Sequence, residues 1–277
     1  MSLALQTFTS IAPKINRTVQ DQNIGLALQR QCYDAARTAL GHVVSINYDE
    51  EIETIQGLYP EAVIVSAGPQ ETCPFPYPLV EFARVQDAVA AQPDLTHVGI
   101  INADVYLGGV PDKVFDVIAH DPNAAVIFCR QEADNLSVSS ARPYLHGFDF
   151  CIFPRAAFEA VKLDGLAWGV PWWDYALPLL MHTAGTNLYI CTDAKLLHFT
   201  HDVNWSVSLW SQGLSAFYAA AKDIDTDPKL FEDFFDMLDI YLKADGLGHE
   251  HEAMLYTGGT LFARACLRKI FKVGTVL

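Results

Sequence analysis

Short apolar runs recur along the chain at intervals that leave room for a helix between most of them. Residues 3–8, 42–47, 62–66, 98–102, 125–129, 148–153 and 188–191 are strand-length and rich in Val, Ile and Phe. Within 19–40, Leu26, Leu28, Cys32, Ala35, Ala36 and Leu40 recur at near-helical spacing, which predicts a crossover helix. Further helices are predicted over 79–91 and 111–119, the latter with Pro111 suited to a first turn. Continuous apolar strands alternating with helices predict an α/β fold, a mainly parallel sheet flanked by helices on both faces. After Ala133 the alternation weakens, and 134–144 holds Ser, Asn, Arg and Pro in a predicted loop bordering a pocket. From Asp225 the pattern turns helical, with Leu230, Phe231, Phe234, Phe235, Leu238 and Tyr241 on one stripe and a last helix over 261–271. The expected division is a sheet domain over 1–222 and a C-terminal helical extension over 223–277.

Composition narrows the partners. With 277 residues the chain can bury a large core without covalent staples. Its six cysteines, Cys32, Cys73, Cys129, Cys151, Cys191 and Cys266, form no Cys-X-X-Cys pair and read as reduced, structural thiols. The apolar runs are too short to span a membrane, and the first residues lack the basic and apolar regions of a secretory signal, so a soluble, cytoplasmic protein is expected. A formal charge of −15 argues against a nucleic-acid partner, because phosphate backbones require concentrated Lys and Arg. An anionic small substrate would need a local remedy such as a metal ion. The last helix interleaves Arg264, Arg268, Lys269 and Lys272 with apolar residues, a pattern that suits a peripheral membrane surface but is explained more cheaply by packing on its own domain.

The chemistry-bearing residues cluster at breaks in this pattern. The run 96–101 stops abruptly at Asn102-Ala103-Asp104, and ligands of open α/β sheets collect beyond the carboxyl ends of such strands. If the strand conformation persists, Asn102 and Asp104 share one face and offer a carbonyl and a carboxylate to a hard divalent cation; the plainer reading is a turn before Tyr106. Pro171-Trp172-Trp173-Asp174-Tyr175 sets a carboxylate among aromatic faces, making Asp174 a candidate general base, or simply an N-cap for the helix after it. His198 and His201 follow the apolar Leu196-Leu197 pair, and either imidazole could complete a metal shell. The spacings do not suit a closed zinc site, whereas Asp104 plus substrate phosphates would suit Mg²⁺ or Mn²⁺.

In the order of these pieces, over roughly residues 1 to 210, the chain resembles the GT-A class of nucleotide-sugar glycosyltransferases. Residues 3–8 resemble the opening strand that contacts the nucleotide and 43–47 the second strand bordering its base, which implies nucleotide contacts for Thr7, Thr9 and Asn47. Asn102-Ala103-Asp104 stands at the Asp-X-Asp position, implying a Mn²⁺ or Mg²⁺ ion at Asp104 with the late His198 completing its shell. Residues 147–153 resemble the acceptor-side strand, with Asp149 bonding substrate hydroxyls. Asp174 falls where inverting members place their base, and Trp172 and Trp173 would form an acceptor wall. The resemblance implies a metal-dependent, inverting transfer from a nucleotide-sugar donor to a saccharide or other hydroxyl acceptor. Asn102 departs from the usual first Asp and removes one negative charge from the motif. A sugar-phosphate nucleotidyltransferase would share the sheet, but 7–14 lacks the glycines such enzymes carry after the first strand. A non-catalytic sugar- or nucleotide-binding protein is the other alternative.

Overall fold

The computed structural model describes residues 3–14, 18–19, 22–133, 141–144, 147–199, 206–222 and 249–270, with isolated positions 224, 229, 232–234 and 236. His201 and most of the 225–243 stripe lie outside the described residues.

The apolar runs become the strands of one seven-stranded sheet. In chain order these are β1 (Leu5–Thr9), β4 (Val43–Asn47), β5 (Val63–Ser66), β6 (His97–Ile101), β8 (Ala124–Phe128), β11 (Phe150–Pro154) and β12 (Asn187–Cys191). The spatial order is β12-β8-β11-β6-β1-β4-β5. All pairings are parallel except those of β11, which runs antiparallel to both β6 and β8. The central strands are buried along their whole length, which is why their sequences are continuously apolar rather than alternating.

Helices cover both faces. In α1 (Gly25–Leu40) the buried residues Leu28, Gln29, Cys32, Tyr33 and Ala36 fall on one i, i+3, i+4 stripe against the sheet. The acidic first turn of α2 (Asp49–Leu58), Asp49, Glu50 and Glu51, complements the helix dipole; the sequence reading missed this helix because only Ile55 and Glu51 are buried along it. Next come α3 (Phe82–Ala90), α4 (Asp112–His120), α5 (Arg155–Ala160), α6 (Trp173–Thr183), α7 (Val207–Ala221) and α8 (His249–Ile270).

A second sheet of four short strands, order β10-β9-β13-β7, stands at the carboxyl edge of the first. It is formed by β7 (Val105–Leu107), β9 (Gln131–Ala133), β10 (Arg142–Pro143) and β13 (Leu196–Phe199). A separate two-stranded ribbon, β2 (Thr18–Val19) with β3 (Gln22–Asn23), completes the strands among the described residues.

The C-terminal helix is part of the main core. Phe262, Ala263, Cys266, Leu267 and Ile270 of α8 belong to the same buried cluster as Phe8, Ile46 and Val98 of the sheet. Gly259 lets α8 approach Trp172 and Trp210, whose rings would stand 2.8 Å from a Cβ at that position. The apolar face of α8 is thus spent on the protein itself, as the cheaper of the two sequence readings has it. Among the described residues no helix is long and apolar enough to cross a membrane.

α7 packs against the segment leading into α6 at Gly213, where a Cβ would collide with the Pro171 carbonyl oxygen. Backbone cannot yield as a side-chain tip does. Gly213→Ala is therefore expected to cost about 1–3 kcal/mol, read as a lowered midpoint in thermal or urea unfolding; an unchanged midpoint would show that α7 does not hold the α6 entry in place.

Candidate active site

The site is one polar layer beyond the carboxyl ends of the parallel strands, where apolar sheet gives way to charge. Its positions follow from register. Ile101 pairs with Phe150, and one step farther the Asn102 N–H donates to the Asp149 carbonyl at 2.9 Å. On the other flank of β11, Phe150 pairs with Phe128, and two residues beyond β8 stands Arg130. In the second sheet His198 pairs with Glu132 in parallel and with Val105 in antiparallel register. Residues distant in sequence are thereby set side by side.

The side chains form a continuous chain of contacts. Asn102 Nδ2 donates to Asp149 Oδ1 at 2.5 Å. Arg130 Nη1 donates to Asp149 Oδ2, and Arg130 Nη2 lies 2.9 Å from Glu132 Oε1. His198 Nδ1 is 3.2 Å from both Glu132 oxygens, and its Nε2 is 3.8 Å from Asp104 Oδ2. Tyr144 covers the guanidinium, with Arg130 Cζ 4.1 Å from its ring centroid. Burial opposes charge on Arg130, but Asp149 and Glu132 outweigh it and hold the guanidinium firmly protonated. Burial likewise opposes charge on His198, yet hydrogen bonding to Asp104 and Glu132 raises it to about 9.

Asp174 closes the other side. It lies in the first turn of α6, where its charge meets the positive helix end. The N-cap position is Trp172, two residues earlier, and its side chain makes no capping hydrogen bond, so Asp174 is not the N-cap read from the sequence. Asp174 Oδ2 accepts the Phe148 N–H at 3.1 Å. Burial first, then the nearby Asp149 charge, push its carboxyl up to about 7, against the Phe148 hydrogen bond and Arg130. Trp172, which begins this turn, has φ +79°, a left-handed backbone that a bulky residue adopts only under constraint. Its indole supplies the constraint, packed 5.2 Å from Trp210 and 5.0 Å from Phe217 between ring centroids.

Several sequence expectations are redistributed. Asn102 and Asp104 do not share a face: the strand ends at Ile101, the chain turns, and the two side chains reach Asp149 and His198 respectively. Trp172 and Trp173 are each 4% exposed, so they anchor the core and present almost no surface as an acceptor wall. Asp149 accepts from Asn102 and Arg130 and is 3% exposed, which leaves it little surface for substrate hydroxyls. Asn47 is buried too; its amide donates to the Ile11 carbonyl at 2.8 Å and so fastens the loop after β1 instead of facing a nucleotide. Thr7 is fully buried toward Gly99, and Thr9 borders a small crevice with Asn102 and Ala103. Arg130, Glu132 and Tyr144 were missed. Their signal was weak, an Arg-Gln-Glu step directly after an apolar strand.

For a divalent cation, no group of three His, Cys, Asp or Glu side chains among the described residues converges tightly enough to form a shell alone. Asp104 and His198 Nε2, however, face each other at a separation that one ion could bridge, and Mg²⁺ or Mn²⁺ commonly takes only one or two protein ligands beside phosphate oxygens and water. The donor set fits such an ion.

No protein-family model and no curated protein matches the sequence. Among solved structures, the chain is similar to GalNAc-T7 solved with UDP, GalNAc and Mn²⁺, with a TM-score of 0.54 and 9% identity over 94% of this chain and 54% of that one. The fold is GT-A-like. Lower TM-scores relate it to a protein from Desulfovibrio desulfuricans G20 assigned as a nucleotide-diphospho-sugar transferase (0.43, 13% identity, 98% of this chain and 100% of that one). They also relate it to S. aureus TarS 1-349 (0.46, 7% identity, 96% and 92%). At these identities the likeness is one of fold.

The Asn102–Asp149 contact gives a physical reason for an amide at position 102: a carboxylate there would oppose Asp149 across 2.5 Å. Asn102→Asp is expected to lower the thermal midpoint at pH 8 more than at pH 5, because the new charge must be forced against Asp149; equal midpoints at both would refute the pairing. Asp174 supplies a second check. Its folded-state pKa of about 7 exceeds the ordinary 3.8, so its stabilising contribution is complete below about pH 4 and is lost as pH rises through about 7. Asp174→Asn should therefore gain stability relative to wild type across that window, measured by denaturation at successive pH values.

Proposed function

We propose that the chain transfers a sugar from a nucleoside-diphosphate sugar to an acceptor hydroxyl, with Mn²⁺ or Mg²⁺ held by Asp104 and His198 and with Asp174 as general base. The observation that carries this reading is the pairing, on one edge of a GT-A-like sheet, of a carboxylate–imidazole couple 3.8 Å apart with a carboxyl poised near neutrality. When bound, the cation would offset charge developing on the departing diphosphate.

Asp174 takes the proton of the acceptor hydroxyl, whose oxygen attacks the anomeric carbon opposite the leaving group, so the sugar transfers with inversion. A carboxyl near pH 7 suits that task, being ionised enough to accept a proton and basic enough to hold it. Arg130 and Asp149 do not touch substrate; they fix the floor between the cation pair and the base. Tyr144, stacked on Arg130 and close to Gly147 beside Asp174, takes over the aromatic wall assigned to the two tryptophans. Thr9, Asn102 and Ala103 border the donor side. The reading keeps 1–222 as the catalytic part and 223–277 as a C-terminal extension, of which α8 packs on the main core, involves no nucleic acid, and takes the protein as cytoplasmic, which suits six free cysteines.

The first experiment is thermal denaturation with a panel of nucleoside diphosphates, with Mn²⁺ and with chelator. Because GalNAc-T7 was solved with UDP and Mn²⁺, uridine diphosphate leads the panel. A metal-dependent rise with one nucleotide is expected; no rise with any would overturn the reading. Slow release of sugar from the donor to water then separates a transferase from a protein that only binds the donor. Asp104→Asn should abolish both the metal-dependent shift and turnover. Asp174→Asn should lower turnover about 100-fold or more while leaving nucleotide affinity unchanged, and the wild-type rate should climb with pH around 7.

A further inference from the structure

The residue between the cation pair and the buried guanidinium has no part in the transfer as proposed, yet its carboxylate meets charged partners on two sides. Glu132 lies on β9 directly opposite His198 in the parallel β9–β13 ladder. Both of its oxygens stand 3.2 Å from His198 Nδ1. Oε1 also receives Arg130 Nη2 at 2.9 Å, and the second guanidinium nitrogen is held by Asp149. Glu132 and Arg130 are each about 15% exposed, so the carboxylate is fixed by a buried partner on one side and presents itself to the imidazole on the other.

A carboxylate at Nδ1 has a defined consequence for the ring. An ionised carboxylate only accepts, so Glu132 at Nδ1 and Asp104 at Nε2 each favour a ring proton in the metal-free protein; a cation that takes the place of the Nε2 proton leaves the Nδ1 proton held by Glu132 and the Nε2 lone pair free to bind. The same arrangement, a carboxylate behind a metal-binding histidine, raises the ligand's basicity and fixes its orientation. Resting on the function proposed above, we infer that Glu132 is the positioning residue of the cation site: it orients His198 from behind and sets its tautomer so that Nε2 and Asp104 together accept a divalent cation. Arg130 in turn anchors Glu132, so the orientation is inherited from the Asp149 contact at the end of the main sheet.

The test is calorimetric titration of MnCl₂, with and without uridine diphosphate, into the full chain carrying Glu132→Gln, Glu132→Ala, His198→Ala or Glu132→Ala with His198→Ala. Glu132→Gln keeps an acceptor oxygen but not the charge and is expected to weaken Mn²⁺ about 10-fold; Glu132→Ala should weaken it about 100-fold. In the His198→Ala background Glu132→Ala should cost nothing further, because its effect passes through the imidazole. With Mg²⁺ as a diamagnetic probe, ¹⁵N spectra of labelled histidine should show His198 protonated on Nδ1 in wild type and a tautomer mixture in the variant. If Glu132→Ala does not fold, Glu132→Gln decides alone. Wild-type Mn²⁺ binding matched by the Glu132 variants, or an equal loss with and without His198, overturns the positioning role while the proposed function stands. Absence of Mn²⁺ binding by the wild type under both conditions overturns the two together.

Discussion

The guanidinium of Arg130 is the contact on which the site depends. It is the bridge between two sheets: Asp149 belongs to the edge of the large sheet through β11, and Glu132 to the small sheet through β9. Its charge lies between the two carboxylates in a recess where each of the three side chains is largely buried. Removing one member of such a buried network leaves the others with uncompensated charge, a cost far above that of a surface ion pair. The Tyr144 ring closes the remaining face of the guanidinium and so limits water at the same point.

Most of the large sheet was legible because a strand buried on both faces must be apolar at every position, a signal that does not depend on partners. All seven predicted runs became strands, displaced by one or two residues at their ends. The direction of β11 was not legible, since a central strand reads the same whichever way it runs. The four strands of the small sheet were not predicted as strands, being two to four residues long and shorter than any period they might display. That gap explains the missed Glu132: its significance comes from standing opposite His198, and register between strands distant in sequence has no local trace.

Chemistry was legible as residue type and less so as direction. Asp104 and His198 were paired in the sequence reading on grounds of order, and the two do face each other. Asn102 was grouped with Asp104 by two-residue spacing, which holds only while a strand continues; the turn after Ile101 separates them. Trp172 and Trp173 read from sequence as sugar-stacking faces, but two adjacent indoles offer so much apolar surface that packing claims them first, Trp172 against α7 and α8 and Trp173 against Phe82 of α3. Their contribution is indirect: burial of the Trp172 indole balances the left-handed backbone that delivers Asp174 to the edge of the sheet.

A charge argument links these points to the proposed reaction. Asp104, Glu132, Asp149 and Asp174 gather around Arg130 and His198, and Arg130 is already shared between two of the carboxylates. A diphosphate entering such a recess would be repelled unless positive charge arrives with it, and the chain as a whole, at −15, offers no long-range attraction. With its pKa pushed up to about 7, Asp174 carries only part of its charge near neutrality and so adds less to that repulsion, as does an amide rather than a carboxylate at position 102. On the proposed reading the cation is then a condition of donor binding rather than an addition to it, because the basic groups nearest the site are occupied in holding its own acids in place.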